Sequence, residues 1–149
     1  MDSKECLFCK IVRGEIPSKK IYEDSDIFAF LDINPANKGH TLVIPKKHKE
    51  MIYDLDEQTL SKLMSVVKNL ATMIKTKLHA DGVNVMQNNG QAAGQIVSHF
   101  HVHIVPRFLG DKVLITYQRA ALSESDFDAL VKLLSQKQEK NIPDMQFDF

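Results

Sequence analysis

The chain has 149 residues, and its 19 Lys plus Arg balance 19 Asp plus Glu, giving a formal net charge of zero at pH 7. Apolar residues make up 44% and charged residues 26%, the profile of one soluble globular domain that can bury a core without disulfides. Net neutrality argues against a DNA or RNA binder working by bulk charge, no apolar run approaches the ~20 residues that span a bilayer, and the opening MDSKECLFCK has neither the basic nor the apolar region of a secretory signal. The expectation is a cytoplasmic protein with reduced thiols and no nucleic-acid or membrane partner.

No repeat, low-complexity tract or Gly/Ser linker divides the chain, which reads as a single domain over 1–149, with its motifs in 6–107 and a helix and tail in 108–149. Cys6 to Arg13 is a short apolar-rich segment of one or two helical turns, closed by Gly14 and Pro17. Lys20 to Glu23 and Ile27 to Leu31 predict two strands joined by a polar turn at Asp24-Ser25-Asp26. Asn34-Pro35 and Lys38-Gly39 mark a loop, after which His40 to Ile44 is β-rich and ends at Pro45.

Leu60, Leu63, Met64, Val67, Leu70, Ala71, Ile74 and Leu78 recur at helical spacing. Asp54, Asp56 and Glu57 sit where that helix starts, and Asp81-Gly82 stops it. Val83 to Met86 reads as a strand, Asn88 to Gly94 as a loop, and Ser98 to Pro106 as a strand. Ser123, with Asp126 in capping-box spacing, opens a last helix whose apolar positions are Phe127, Leu130, Val131 and Leu134. The tail from Asn141 looks irregular, with Met145, Phe147 and Phe149 as apolar residues to dock. A hairpin, a helix, two strands and a helix make an α+β fold, an antiparallel sheet with helices on one side.

Histidine is the outlier in the composition. His99, His101 and His103 alternate with Phe100, Val102 and Ile104, so on a strand the three imidazoles share one face at a spacing of ~6.6 Å, given a rise of ~3.3 Å per residue. A single His in a strand is ordinarily a satisfied core or surface residue, but three at period two are hard to explain by packing. Imidazole titrates near neutrality, so such a row suits a nucleophile, partners for an anion, or a metal.

These residues resemble the histidine triad motif, His-φ-His-φ-His-φ-φ with φ apolar. The resemblance extends to Asn88, Gly94-Gln95 and Pro106-Arg107, and to Phe30-Leu31-Asp32-Ile33-Asn34-Pro35 and Gly39 to His48 in the first half, covering about Cys6 to Arg107. It points to the Hint-type branch, the small prokaryotic-style histidine triad nucleotide-binding proteins. It implies a five-stranded antiparallel sheet with a long central helix and a C-terminal helix, paired into a ten-stranded sheet in a homodimer. It also implies a nucleotidyl hydrolase or transferase acting at the α-phosphate of nucleoside 5′-phosphate derivatives, purine nucleoside phosphoramidates or dinucleoside polyphosphates, through a covalent nucleotidyl-histidine. By resemblance His101 is the nucleophile, His103 and His40 stand beside it, Gln95 and Asn88 lie near the scissile group with Gly94, and Asp32 takes the ribose while Ile33 and Phe30 wall the base. Asp32 by its type alone equally suits a turn before Asn34-Pro35. Ile96 occupies a place where better-known members often carry Ser or Thr, whose hydroxyl reaches the phosphate or leaving group.

Cys6-Leu7-Phe8-Cys9 is a C-x-x-C pair that reads as half a zinc site, a redox pair or two buried thiols, although the βαβ setting of a redox pair is missing. In the metal-bearing members it resembles, the other ligands match His48 and His99, making a closed, structural Cys2His2 zinc site. His79, the sixth histidine, has no assigned function. Two other classes compete: a metal-dependent hydrolase in which His99, His101 and His103 hold one catalytic zinc, and a non-catalytic nucleotide-binding regulatory or interaction protein.

Overall fold

The computed structural model describes residues 4–116 and 118–135. They fall into two compact units, one within residues 1–113 and one within residues 114–149. The first holds α1 (Leu7–Val12), β1 (Lys20–Glu23), β2 (Ile27–Leu31), β3 (Thr41–Pro45), α2 (Glu57–Leu78), β4 (Gly82–Gln87) and β5 (Val102–Arg107). The strands form one antiparallel sheet in the order β1-β2-β3-β5-β4. The second unit contains α3 (Glu124–Leu134), capped by Ser123 and Asp126 in the reciprocal arrangement their spacing predicts. Met145, Phe147 and Phe149 lie outside the described residues.

Local chemistry accounts for the turns. Asp24 Oδ1 accepts the N–H groups of Asp26 and Ile27, both at 2.8 Å, and so folds the β1–β2 hairpin. Asp56 caps α2 by accepting the Thr59 N–H at 2.8 Å. The helix ends at Leu78 and is capped by His79, two residues before the Asp81-Gly82 expected to stop it, and His79 takes the left-handed conformation with φ 53°. Gly39 sits at φ 86°, where an L side chain is strained, and a Cβ there would also press on the Leu78 side chain.

Strand alternation sends the two sheet faces to different tasks. Ile27, Ala29, Val43, Val102 and Ile104 pack against Leu63, Val66, Val67, Leu70 and Ile74 of α2. Phe28, Phe30, Leu42 and Ile44 point the other way and pack against Cys6, Phe8, Cys9 and Ile11. Helices therefore cover both faces, which corrects the expectation of one: α1 is short, but its Phe8, Cys9 and Ile11 are buried and need an apolar surface. The register places Phe30, Leu42, His103 and Met86 side by side across four strands, so the face that carries α1 also carries a histidine.

Candidate functional site

β5 begins at Val102, four residues later than its composition predicts. Before it the chain leaves the ladder: Phe100 N–H donates to Lys49 O at 2.6 Å and His99 N–H to Val97 O at 2.8 Å. The three histidines thus do not form one evenly spaced row. His101 and His103 sit together, ring centroids 4.8 Å apart, while His99 is fully buried and faces the thiols of α1.

The hydrogen bonds fix where each imidazole carries its proton. Ala36 N–H donates to His40 Nδ1 at 3.1 Å, so His40 is protonated at Nε2. His40 Nε2–H in turn donates to His103 Nδ1 at 3.0 Å, leaving the neutral His103 ring with its N–H at Nε2. His101 Nδ1–H donates to the backbone carbonyl of His99 at 2.6 Å, which leaves Nε2 as the nitrogen with a lone pair. Burial pushes the pKa of all three rings down; His103 is lowered to about 4 by burial first and then by His101 and His40 beside it. At neutral pH the group therefore offers one unprotonated nitrogen and one N–H donor, the pair that attack on a phosphorus and stabilisation of its oxygens require.

His40, His101 and His103 line a cleft of about 560 Å3 together with Phe30, Asp32, Ile33, Asn88, Gly94 and Ile96. Asp32 answers to both of its readings at once. Its Oδ1 accepts the Asn34 N–H at 2.8 Å as a turn residue, and its Oδ2 stands 3.6 Å from His40 Nδ1. Ile33 is 82% exposed although apolar, whereas Phe30 is buried in the floor. Phe8, which the motif reading passed over, sets its ring edge-on to His101 with centroids 5.3 Å apart. Its only signal in the sequence was an apolar position inside the C-x-x-C pair.

Gln95 does not join this group. Its Oε1 accepts Gly90 N–H at 2.7 Å, and its Nε2 donates to Glu50 O at 2.7 Å and to Val97 O at 3.2 Å. The side chain braces the 88–97 loop from behind. The N–H groups of Gly90, Ala93, Gly94 and Gln95 are likewise spent within that loop, so they are not a ready phosphate cradle. Arg107 is also structural, gripping Asp111 at 2.7 Å and Asn84 at 2.7 Å.

Cys6, Cys9, His48 and His99 converge on the far side of the triad, with one donor atom from each lying within 4.8 Å of the others. Cys6 Sγ is 3.4 Å and Cys9 Sγ 3.5 Å from His99 Nδ1, and Cys9 Sγ is 3.3 Å from His48 Nδ1. A tetrahedron with Zn–S of about 2.3 Å and Zn–N of about 2.0 Å has edges of roughly 3.5 Å, which these three thiol–imidazole separations match. His99 Nε2–H donates to Pro45 O at 2.8 Å, which turns the Nδ1 lone pair toward the thiols, as outer partners of metal ligands do. Burial, with Cys6 adjacent, pushes the Cys9 thiol up to about 11. This cluster can hold a metal. The rival arrangement, one catalytic zinc on all three triad histidines, is not formed: His99 faces the thiols and His101 Nδ1 is committed to a carbonyl. Asp32, His40 and His103 make a second close cluster among the described residues, but there His40 Nδ1 already accepts a backbone N–H.

Among the described residues, no helix is long and apolar enough to cross a membrane. The pattern of the HIT domain matches residues 13–110. An uncharacterised HIT-like protein of Methanocaldococcus jannaschii is 46% identical over 127 residues, spanning 85% of this chain and 96% of that protein. The adenosine 5′-monophosphoramidase HNT1 of Saccharomyces cerevisiae is 43% identical over 128 residues, 86% of this chain and 77% of the yeast protein. A zinc-bound histidine triad family protein of Mycobacterium smegmatis superposes with a TM-score of 0.71 at 41% identity, covering 90% of this chain and 96% of the other. With the triad, the five-stranded sheet and these matches in agreement, the chain belongs to the HIT domain family.

Proposed function

We propose that the protein is a nucleotidyl hydrolase or transferase that cleaves nucleoside 5′-phosphate derivatives at the α-phosphorus through a nucleotidyl intermediate on His101. The observation that carries this reading is the hydrogen bond from His101 Nδ1–H to the His99 carbonyl, which leaves Nε2 as a neutral nucleophile. In the first step Nε2 bonds to phosphorus as the leaving group departs; in the second, water takes the phosphorus and frees a nucleoside monophosphate. His103 Nε2–H and the Asn88 amide serve the phosphate oxygens, and His40 holds His103 in its donor tautomer. Asp32 Oδ2 accepts from the ribose hydroxyls, with the base between Ile33 and the Phe30 side of the cleft. Gln95 and Gly94 act through the loop that they shape. The yeast relatives named as adenosine 5′-monophosphoramidases favour a purine nucleotide.

Cys6, Cys9, His48 and His99 hold a structural zinc in this reading, supported by their donor spacing and by the zinc-bound neighbour. With all four places filled by protein, the metal would tie α1 and the 45–50 segment to the approach of β5. The working form is a cytoplasmic homodimer joined through β4, the sheet edge nearest the cleft floor residue Met86. Incubation with an adenosine 5′-phosphoramidate should release AMP and give an intact-mass adduct of one adenylyl group, both lost in His101→Ala. Absence of both from wild-type protein overturns the catalytic reading and leaves a nucleotide-binding regulator.

A further inference from the structure

Two imidazoles reach the thiol cluster, and the far nitrogens of the two rings are treated differently. His99 Nε2–H donates to Pro45 O at 2.8 Å, the bond that turns its Nδ1 toward the sulfurs. His48 presents the same nitrogen to the cluster, with Nδ1 3.3 Å from Cys9 Sγ. A neutral ring whose Nδ1 lone pair serves a metal carries its proton on Nε2. In His48 that Nε2 is buried, and it has no hydrogen-bond partner among the described residues.

The acceptor that approaches it is the Glu50 carboxylate, whose Oε1 lies 3.8 Å from His48 Nε2, within ion-pair range. The backbone holds Glu50 at that place. Its carbonyl accepts Gln95 Nε2–H at 2.7 Å, and the Lys49 carbonyl accepts Phe100 N–H at 2.6 Å. The chain at 49–50 is thus pinned to the approach of β5 and to the 88–97 loop. The Glu50 carboxylate also meets the chain's amino terminus, ahead of His48 in the strength of its effect.

We propose that Glu50 is a positioning residue for the metal site: its carboxylate is the acceptor for His48 Nε2–H, and it fixes the tautomer that gives Nδ1 to the metal. This rests on the metal reading of Cys6, Cys9, His48 and His99. A carboxylate behind an imidazole orients the ring and makes its other nitrogen a more basic ligand. His99 is then set by a carbonyl and His48 by a charge. The bland role for Glu50, pairing with the amino terminus to steady the 45–50 segment, leaves His48 Nε2–H unserved.

The test measures the zinc dissociation constant of the full chain by competition with a chromophoric chelator. Glu50→Ala should weaken zinc binding by ~10–100-fold. Glu50→Gln keeps an acceptor oxygen without the charge and should lose about 3–10-fold, since a hydrogen bond to an ionised acceptor is roughly twice as strong as a neutral one. In a His48→Cys background the ligand has no N–H to orient, so adding Glu50→Ala should leave the affinity within about twofold. All variants are compared in forms shown to be folded by circular dichroism. Histidine-labelled NMR of the zinc-loaded protein gives a second readout: His48 Nε2–H should exchange slowly in the wild type and faster in Glu50→Ala. Wild-type affinity in both Glu50 variants, an equal loss in the His48→Cys background, or Nε2–H exchange unmoved by Glu50→Ala overturns the inference while the metal reading stands. Wild-type protein that takes up no stoichiometric zinc overturns the metal reading and this inference with it.

Discussion

His99 and His101 are joined through one carbonyl: the backbone oxygen of His99 accepts His101 Nδ1–H at 2.6 Å, while the His99 ring aims its Nδ1 at Cys6 and Cys9. The residue that would close the metal site therefore also sets the tautomer of the nucleophile. Removing the metal from zinc-loaded protein should lower stability by about 2–4 kcal/mol, the linkage expected at a hundred to a thousand times the dissociation constant. Urea unfolding with and without a strong chelator measures this, alongside elemental analysis of protein purified without chelator. Cys6→Ser should reproduce the loss, and stability unaffected by either change would rule out a structural metal.

Removal of the nucleophile and removal of its neighbour should differ in kind. His101→Ala deletes the attacking nitrogen and should lower kcat/KM by ~10⁴-fold or more, with no covalent adduct. His103→Ala deletes one donor to the phosphate and should cost about 10²–10³-fold while still forming the adduct slowly. Quench-flow with intact-mass detection separates the two, and equal adduct yields in both variants would contradict a division into nucleophile and donor.

Much of the first unit was legible before its structure. The β-rich runs of β2 and β3 bounded by turn residues and the helical spacing from Leu60 to Leu78 depend on local chemistry that a sequence displays, as does the Ser123 cap in the second unit. The site was legible by residue type but less so by direction. The sequence puts His99 in line with His101 and His103, yet where His99 points depends on Pro45 O and two thiols about 90 residues away. Gln95 illustrates the same limit. Its type suits a phosphate contact, but Gly90 N–H and Glu50 O claim its amide, and neither partner can be read from spacing. Ala36 leaves no trace at all, because its contribution is a backbone N–H.

Stability should fall with acid because buried imidazoles resist protonation. In the folded chain His103 is lowered to about 4 and His40 is also lowered, burial being the first cause for both, whereas an unfolded chain protonates them near the usual ~6.5. Between those values the unfolded state binds more protons, so stability is highest above pH 6.5, declines as pH falls toward 4, and flattens below. The limiting slope is ~1.4 kcal/mol per pH unit for each histidine, reduced by solvent screening at the half-buried His103. Urea midpoints between pH 4 and 8 report it, and His103→Gln should flatten the decline; a wild-type profile with no slope over that range would refute the burial argument.

Asp32 should govern the choice of sugar. One of its oxygens is occupied by Asn34 N–H, leaving Oδ2 as the acceptor toward the cleft. Hydrogen bonds to a charged acceptor contribute about 1.5–3 kcal/mol, so removing the ribose hydroxyls should raise KM by roughly 10–100-fold in the wild type. Asp32→Asn should shrink that ratio toward unity while the turn persists, since an amide oxygen can still accept from Asn34. Comparison of ribo- and 2′,3′-dideoxynucleotide substrates measures the effect, and an undiminished ratio in the variant would place the sugar elsewhere.

Gln95 should matter through the loop it braces and not through the substrate. Its amide links Gly90 N–H to Glu50 O and Val97 O, holding Gly94 and Ile96 at the cleft wall. Gln95→Ala leaves those backbone groups without their partner, at a cost of about 1–3 kcal/mol to local order. Amide exchange should then quicken across residues 90–97 while the sheet core stays protected. Turnover of an adenosine 5′-phosphoramidate should fall by about tenfold, because the cleft wall loosens under it. Gln95→Glu separates bracing from direct contact. A carboxylate can accept Gly90 N–H but cannot donate to Glu50 O, so it should restore exchange protection near Gly90 and leave the 95–97 end fast. Loss of turnover in Gln95→Ala with amide exchange unchanged would instead put the Gln95 amide in contact with the reacting phosphate.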